Sequence, residues 1–188
     1  MKYSRIAIFI DFNNFQIRFR EVFGDYPIWE TLNRNLLNLV NDHVLGDISK
    51  IDYSLEHIGT WVCAGVPDCA NPDQERFMKW LEVLDRMTGY IVKYGRVDNH
   101  NREKGVDTEI VCQLLMGAFN DQYDIALLMS DDSDFLPAVE RVQDIFGKRV
   151  LQAGFNPGAI IRAHCYGHIP LERCNRELTK IFGEHNQH

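Results

Sequence analysis

No apolar run in the 188 residues approaches membrane-spanning length, and no internal repeat or low-complexity segment is present. The apolar run after Met1-Lys2-Tyr3-Ser4-Arg5 is too short for a signal-peptide core, so a cytoplasmic protein without a membrane partner is expected. There is no Cys-x-x-Cys pair: five cysteines, Cys63, Cys69, Cys112, Cys165 and Cys174, follow no regular spacing. An odd, irregular set argues for free thiols rather than a disulfide framework. Cys63, Cys69, Cys165 and Cys174, together with His164 and His168, offer zinc-type donors, but not at the short spacings that structural zinc sites use. Positive charge is also scarce. A formal net charge of −7 does not suit a duplex-DNA binder relying on counterion release, although it leaves room for an enzyme that holds metal with acids and meets nucleic acid through a local basic rim.

The hydrophobic fraction of 45% and charged fraction of 25% are ordinary for a globular protein. The length suits one domain over residues 1–188, with a core of about residues 5–170. The chain is organised around Tyr123 to Phe135, where five apolar residues, Ile125 to Met129, run into Ser130-Asp131-Asp132-Ser133-Asp134. Such a run fits a strand buried on both faces, and one that ends in carboxylates is a place to look for a cation. The first strand, about residues 5–10, repeats the arrangement and stops at Asp11. Turn chemistry offers a plainer account of both ends: Asn13 and Asn14 are turn formers, and Asp134 can cap the segment that follows.

Helical spacing predicts a helix from Trp29 to about Val44, and β-type residues predict a strand from about Lys50 to Cys63. A loop over residues 64–72 follows, then a helix capped by Asn71 or Asp73 and running to Gly89, and a strand at Tyr90–Tyr94. The polar segment Gly95–Gly105, with Arg96, Arg102 and Lys104, reads either as a basic substrate-contact loop or as a solvated connection. The next helix begins near Asp107. Its apolar face carries Ile110, Val111, Leu114, Leu115 and Ala118, and Asp107 lies three residues before Ile110, aimed near that face unless it serves only as N-cap; Glu109 projects away. Further on come a helix from Phe135 to Phe146, a strand at residues 148–154, a helix from Ala159 to about Cys165, a turn at residues 166–170 and a final helix of about residues 171–182. The alternation predicts an α/β three-layer sandwich with a mainly parallel central sheet.

In such sheets ligands bind beyond the carboxyl ends of the strands, where strand order reverses. Asp11, Asp132 and Asp134 lie at such ends, and Asp107 opens a helix on the same edge. Four converging acids repel one another and raise their pKa values unless a divalent cation compensates, and oxygen-only ligands suit Mg²⁺ or Mn²⁺.

Four segments carry a family resemblance: Ile8-Phe9-Ile10-Asp11-Phe12-Asn13-Asn14, Lys104-Gly105-Val106-Asp107, Leu128 to Pro137 with its Ser-x-Asp-Ser-Asp-Phe-x-Pro element, and Gly147-Lys148-Arg149-Val150. Their order and spacing over about residues 5–170 resemble the NYN domain, more narrowly its bacterial LabA/DUF88-like branch within the PIN-like nuclease superfamily. The resemblance implies a PIN-like (Rossmann-like) fold and a metal-dependent ribonuclease site. Asp11, Asp107, Asp132 and Asp134 would bind one or two Mg²⁺ or Mn²⁺ ions, with Asn14 beside Asp11. Arg102, Lys104 or Arg18 would place an RNA backbone, and Phe12, Phe15 or Tyr94 would stack bases if they are not core. The sequence departs from the pattern at Asp131, where the family usually has Gly, at Gln113, where many members have a further Asp, and at Tyr166, where a C-terminal helix often carries one.

Other readings compete. A haloacid-dehalogenase-like phosphatase needs a second Asp two residues after the first, and Asn13 stands there. An adhesion-type metal site needs serines where Phe12, Asn13, Asn14 and Phe15 stand. From another class comes a non-catalytic RNA- or protein-binding module that retains the acidic cleft, and a homodimer is compatible with either reading.

Overall fold

The computed structural model describes residues 2–24, 26–42, 53–67, 72–97 and 103–174. Its strands are β1 (Lys2–Asp11), β2 (Tyr53–Pro67), β3 (Tyr90–Val97), β4 (Glu103–Lys104), β5 (Ile125–Met129), β6 (Arg149–Gly154) and β7 (Gly167–Pro170). The helices are α1 (Phe12–Phe23), α2 (Trp29–Val40), α3 (Pro72–Asp85), α4 (Val106–Phe119) and α5 (Leu136–Asp144). Among the described residues the strands form one sheet in the order β4-β3-β2-β1-β5-β6-β7, all pairs parallel except the short β4 against β3. The predicted α/β sandwich with a mainly parallel sheet is the observed fold.

Alternation along the central strands separates the two helical layers. Ile6, Ile8 and Ile10 of β1, with Ile125, Leu127 and Met129 of β5, face a core that includes Phe12, Phe15 and Phe19 of α1, Leu32 and Leu36 of α2, and Leu81 and Leu84 of α3. Ala7, Phe9, Ala126 and Leu128 face the opposite core with Ile110 and Leu114 of α4 and Val139 and Val142 of α5. A strand covered on both sides needs apolar residues at every position, which is why β1 and β5 read as unbroken hydrophobic runs. Each fully buried leucine at positions 127 and 128 contributes about 1.5–3 kcal/mol relative to exposure.

Sequence and structure part company at several elements. Asp11 to Phe15 does more than turn: α1 starts at Phe12, and its phenylalanines recur at helical spacing on the buried side. β2 continues through Ala64–Pro67, residues expected in a loop, because it extends along β3 as far as Val97. Gly95–Val97 therefore belongs to β3 and Glu103–Lys104 to β4, while the remainder of the expected basic loop, with Arg102, lies outside the described residues. Asp73 lies inside α3 rather than at its cap, and Asn71 and Cys69 fall outside the described residues. α2 ends at Val40, and residues 43–44 of the expected helix are not described. The helix expected from Ala159 is a short 3-10 turn over Ile160–Ala163, and the expected turn after it is strand β7, paired with β6. Of the expected terminal helix, Leu171–Arg173 is a 3-10 turn and residues 175–182 are not described.

At the amino ends of the strands, Arg5 fastens β1 to the start of β5. Its backbone N–H donates to Asp124 Oδ2 (2.9 Å) and its guanidinium to both carboxylate oxygens (3.2 and 2.8 Å). Lys148, just before β6, adds an ion pair to Asp124 at 3.6 Å and one to Asp121. The Arg5 guanidinium holds the Asp124 carboxyl down to about 2 from an ordinary value of 3.8. A depressed carboxylate stabilises the fold above its unfolded pKa, and that contribution fades as pH falls through the folded one. Asp124→Asn is expected to lower the melting temperature at neutral pH and to flatten the loss of stability between 3.8 and about 2, read from thermal melts across that range.

Candidate functional site

β1 and β5 pair in register from Ile6↔Ile125 to Ile10↔Met129, so Asp11 and the chain leaving Met129 emerge side by side. From β1 the sheet proceeds through β2 and β3 in one direction and through β5, β6 and β7 in the other. The edge beyond β1 and β5 is therefore the switch point of the sheet.

Asp11 follows the parity of Ala7 and Phe9 and points to the α4 side, beside Cys63 of β2, with which it is paired in register. It is 5% exposed and is the N-cap of α1: Oδ1 accepts the Asn14 backbone N–H at 3.4 Å. The N-terminal dipole of α1 favours a negative charge there. Asn14 is thus brought to Asp11 by the first turn of the helix, through its backbone.

On the neighbouring strand, buried Ser130 accepts the Asp132 N–H on Oγ at 3.2 Å. Asp132, not Asp134, is the cap of the following 3-10 turn, Ser133–Phe135: its Oδ1 accepts the Asp134 N–H at 2.8 Å. Such a short-range turn bonds most readily through the earlier of two acids, because the side chain reaches the N–H two residues ahead. Asp134 itself is exposed.

α4 supplies the third side. Its N-cap is Gly105 (φ 85°), so Asp107 is not a cap but a first-turn residue. The corner leading into it runs tight against β3: a Cβ on Gly95 would meet Val106 Cγ2 at 2.5 Å and the Lys104 carbonyl oxygen at 2.9 Å. Only glycine permits that approach. Asp107 is exposed rather than turned to the buried face, yet its carboxyl is pushed above the usual carboxylate range, first by desolvation and then by the charges of Asp132 and Asp134. The charges of Asp132 and Asp134 therefore reach Asp107.

Glu109 corrects the sequence reading. Instead of projecting away it is half-buried on the flank of the apolar face, accepts a bond from Gln113 Nε2 (2.8 Å), and its charge is felt at Cys63. The Cys63 thiol is pushed up to about 12 by burial, then by Glu109 and Asp11, against an opposing effect of Lys93. Cys63 and Lys93, neighbours in the β2–β3 register, thus join the surroundings of Asp11. Their strand parity gave a signal, since both lie one strand or two from Asp11 at the same level, but strand register is not visible in a lone sequence.

The other expected contacts divide. Lys104 is exposed on β4, three residues before Asp107. Arg18 is exposed and paired with Glu21 at 2.8 Å, on the surface of α1. Phe15 is a core residue at 4% exposure, Tyr94 is exposed on β3, and Arg102 is not described.

The three departures from the family pattern have distinct structural roles. Asp131 is turned away from the acids and clips the end of β6: Oδ1 accepts from Gln152 Nε2 (2.8 Å), and Oδ2 from the N–H groups of Phe155 (2.9 Å) and Asn156 (3.0 Å). A Cβ on Gly154 would meet Asp131 Oδ1 at 2.0 Å, so the carboxylate occupies space that only glycine leaves open. Gln113 holds Glu109, and Tyr166 lies under the Arg149 guanidinium (4.7 Å to the ring centroid). Among the described residues no three His, Cys, Asp or Glu side chains close into a coordination shell. The donor chemistry nevertheless fits a hard divalent cation, since Asp107, Asp132 and Asp134 offer oxygen donors only and a cation would offset the charges that bear on Asp107.

The NYN domain model matches residues 5–172, which include every described acid of this edge. The chain belongs to the NYN family, part of the PIN-like nuclease superfamily. Among solved structures the NYN chain is similar to a protein of unknown function, VPA0982, from Vibrio parahaemolyticus RIMD 2210633. That match has a TM-score of 0.59 and 19% identity, covering 88% of this chain and 91% of the other. At that identity the likeness concerns the fold. No curated protein gives a significant match. Among the described residues no helix is long and apolar enough to cross a membrane.

The Asp131 clip makes a prediction specific to this NYN chain. Asp131→Ala removes three hydrogen-bond acceptances, two from backbone N–H groups, and is expected to cost about 2–3 kcal/mol in denaturant melts. The loop after β6 should exchange its amide protons faster in the variant.

Proposed function

We propose that this NYN protein is a metal-dependent ribonuclease hydrolysing phosphodiester bonds of RNA. The observation that carries the reading is the gathering of Asp11, Asp107 and the Asp132–Asp134 turn at the switch point of a nuclease-family sheet, where desolvation and then the charges of Asp132 and Asp134 raise the Asp107 carboxyl. Asp11, Asp107, Asp132 and Asp134 are the residues that would hold Mg²⁺ or Mn²⁺. A bound cation supplies Lewis-acid activation of water and neutralises charge developing on the phosphate.

The protein's own groups do the rest. Asp11 is held at the N-terminus of α1 by the Asn14 N–H, so one of its oxygens has a fixed direction. The Ser130 hydroxyl and the Asp134 N–H fix the backbone and carboxylate of Asp132 in the same way, which limits reorganisation during reaction. Asp107, whose carboxyl is raised above the usual carboxylate range by desolvation and then by Asp132 and Asp134, accepts or releases a proton at a higher pH than an isolated aspartate. Lys104 at β4, with Arg102 in the segment before it, supplies positive charge to the phosphate backbone, and the Asn14 side chain contacts the substrate beside Asp11. Single-stranded RNA is the favoured substrate, since its bases can be splayed away from the scissile bond.

The test is cleavage of labelled single-stranded RNAs by native protein and Asp132→Asn in Mg²⁺, Mn²⁺ or EDTA. Cation-dependent cleavage that falls at least ~100-fold in the variant is expected, the scale on which loss of a positioned charge slows catalysis. Absence of cleavage by folded, cation-supplied native protein would sink the enzyme reading. A second readout needs no turnover: Mg²⁺ or Mn²⁺ should raise the melting temperature of the native protein by mass action, and less so that of Asp107→Asn.

A further inference from the structure

On the face of the sheet opposite α4, a cleft of about 510 Å³ opens between α1, α3 and the chain entering α2. It is lined by Phe12, Gln16, Trp29, Arg76, Phe77 and Trp80, with Tyr26 and Pro27 at one side. The volume is in the range of small-ligand sites. Four aromatic side chains meet here: Phe12 packs on Trp29, Phe77 and Trp80 with ring centroids 5.4–5.6 Å apart, and Phe77 and Trp80 lie nearly parallel at 10°. Aromatic packing alone would describe a piece of core. Two further observations do not fit core.

First, Gln16, one helical turn beyond Phe12, buries its Oε1 with no hydrogen-bond partner. A buried acceptor left unpaired is costly, and the residue that carries it lines the cleft. Second, the rim is basic in a chain of net charge −7: Arg76 lines the cleft, and Arg20 lies over the Tyr26 ring at 5.3 Å and donates to its hydroxyl at 3.0 Å. Flat apolar walls, a side-chain amide in the lining, and cations at the mouth are together the chemistry that receives a nucleobase with its phosphate outside. The side-chain amide offers both a donor and an acceptor, which matches the mixed edge of a base.

Position supplies the link to the acids. Phe12 directly follows Asp11, so the wall of the cleft and the carboxylate edge are consecutive residues at the turn from β1 into α1.

We infer that the Phe12–Gln16–Trp80 cleft binds one unpaired base of a single-stranded RNA, holding the strand so that a neighbouring phosphodiester lies at the carboxylate edge. This rests on the ribonuclease reading for the role of the strand, but binding itself is separable from cleavage. Trp80 supplies the stacking surface and Gln16 the hydrogen bond to the base edge.

The test measures binding without turnover. Fluorescein-labelled oligoadenylate and oligouridylate are titrated by anisotropy, in EDTA, into Asp132→Asn and into the same protein carrying Trp80→Leu or Gln16→Leu. Circular dichroism melts confirm that each variant is folded. Quenching of tryptophan emission by the RNA is expected in the parent, with affinity about tenfold weaker in Trp80→Leu. A smaller loss, with a changed preference between the two oligomers, is expected in Gln16→Leu, which keeps the aromatic walls intact. Folded variants that both bind as the parent does would overturn the inference. If native protein then still cleaves RNA, the base pocket falls and the nuclease stands. If native protein cleaves nothing but Trp80→Leu weakens binding, the enzyme reading falls and the pocket stands.

Discussion

Arg5 gripping Asp124 sets the register on which the far edge of the sheet depends. Three of its N–H groups bond that carboxylate just before β1 and β5 begin to pair, and from there the two strands run in step for five residue pairs. A slip of one residue would turn Ile6, Ile8 and Ile10 towards the wrong layer and send Asp11 to the opposite face. With the register fixed, a buried acid at the end of one strand meets an acidic turn at the end of the next. The charges gather because the apolar strands leave the ends no choice.

What repels also organises. The acids on β1, β5 and α4 are each tied down by a neighbour: Asp11 by the Asn14 N–H, Asp132 by the Asp134 N–H, and Glu109 by Gln113. Hydrogen bonding to a charged carboxylate favours its ionised form, whereas crowding opposes it. Asp107 enters on a glycine-led helix with no side-chain cap, and desolvation followed by the charges of Asp132 and Asp134 raises its carboxyl. The cleft on the other face adds a second kind of constraint, aromatic surface around an unpaired amide, and α1 joins the two because its first residue faces one and its N-cap the other.

The apolar runs Ile6–Ile10 and Ile125–Met129 disclosed the parallel sheet and the positions of Asp11, Asp132 and Asp134, because strands buried on both faces leave no polar alternation to confuse the pattern. α1 was hidden: Asn13 and Asn14 signal a turn locally, while Phe12, Phe15 and Phe19 pack as a helix only once β1 and Trp29 are beside them. The roles of Asp131 and Glu109 were equally out of reach. One depends on β6 bringing Gln152 and the following N–H groups within bonding distance, the other on where the first turn of α4 overhangs Cys63. Both are facts about long-range neighbours, and spacing along a chain carries none of that.

Cys63 sits wholly buried against the acids, its thiol protonated at any physiological pH. Peroxide and alkylating reagents attack the thiolate, so the residue nearest Asp11 in the register is also among the least reactive sulfurs a protein can carry. The thiol beside Asp11 is therefore spared from oxidation by the same burial that brings the carboxylate into the sheet.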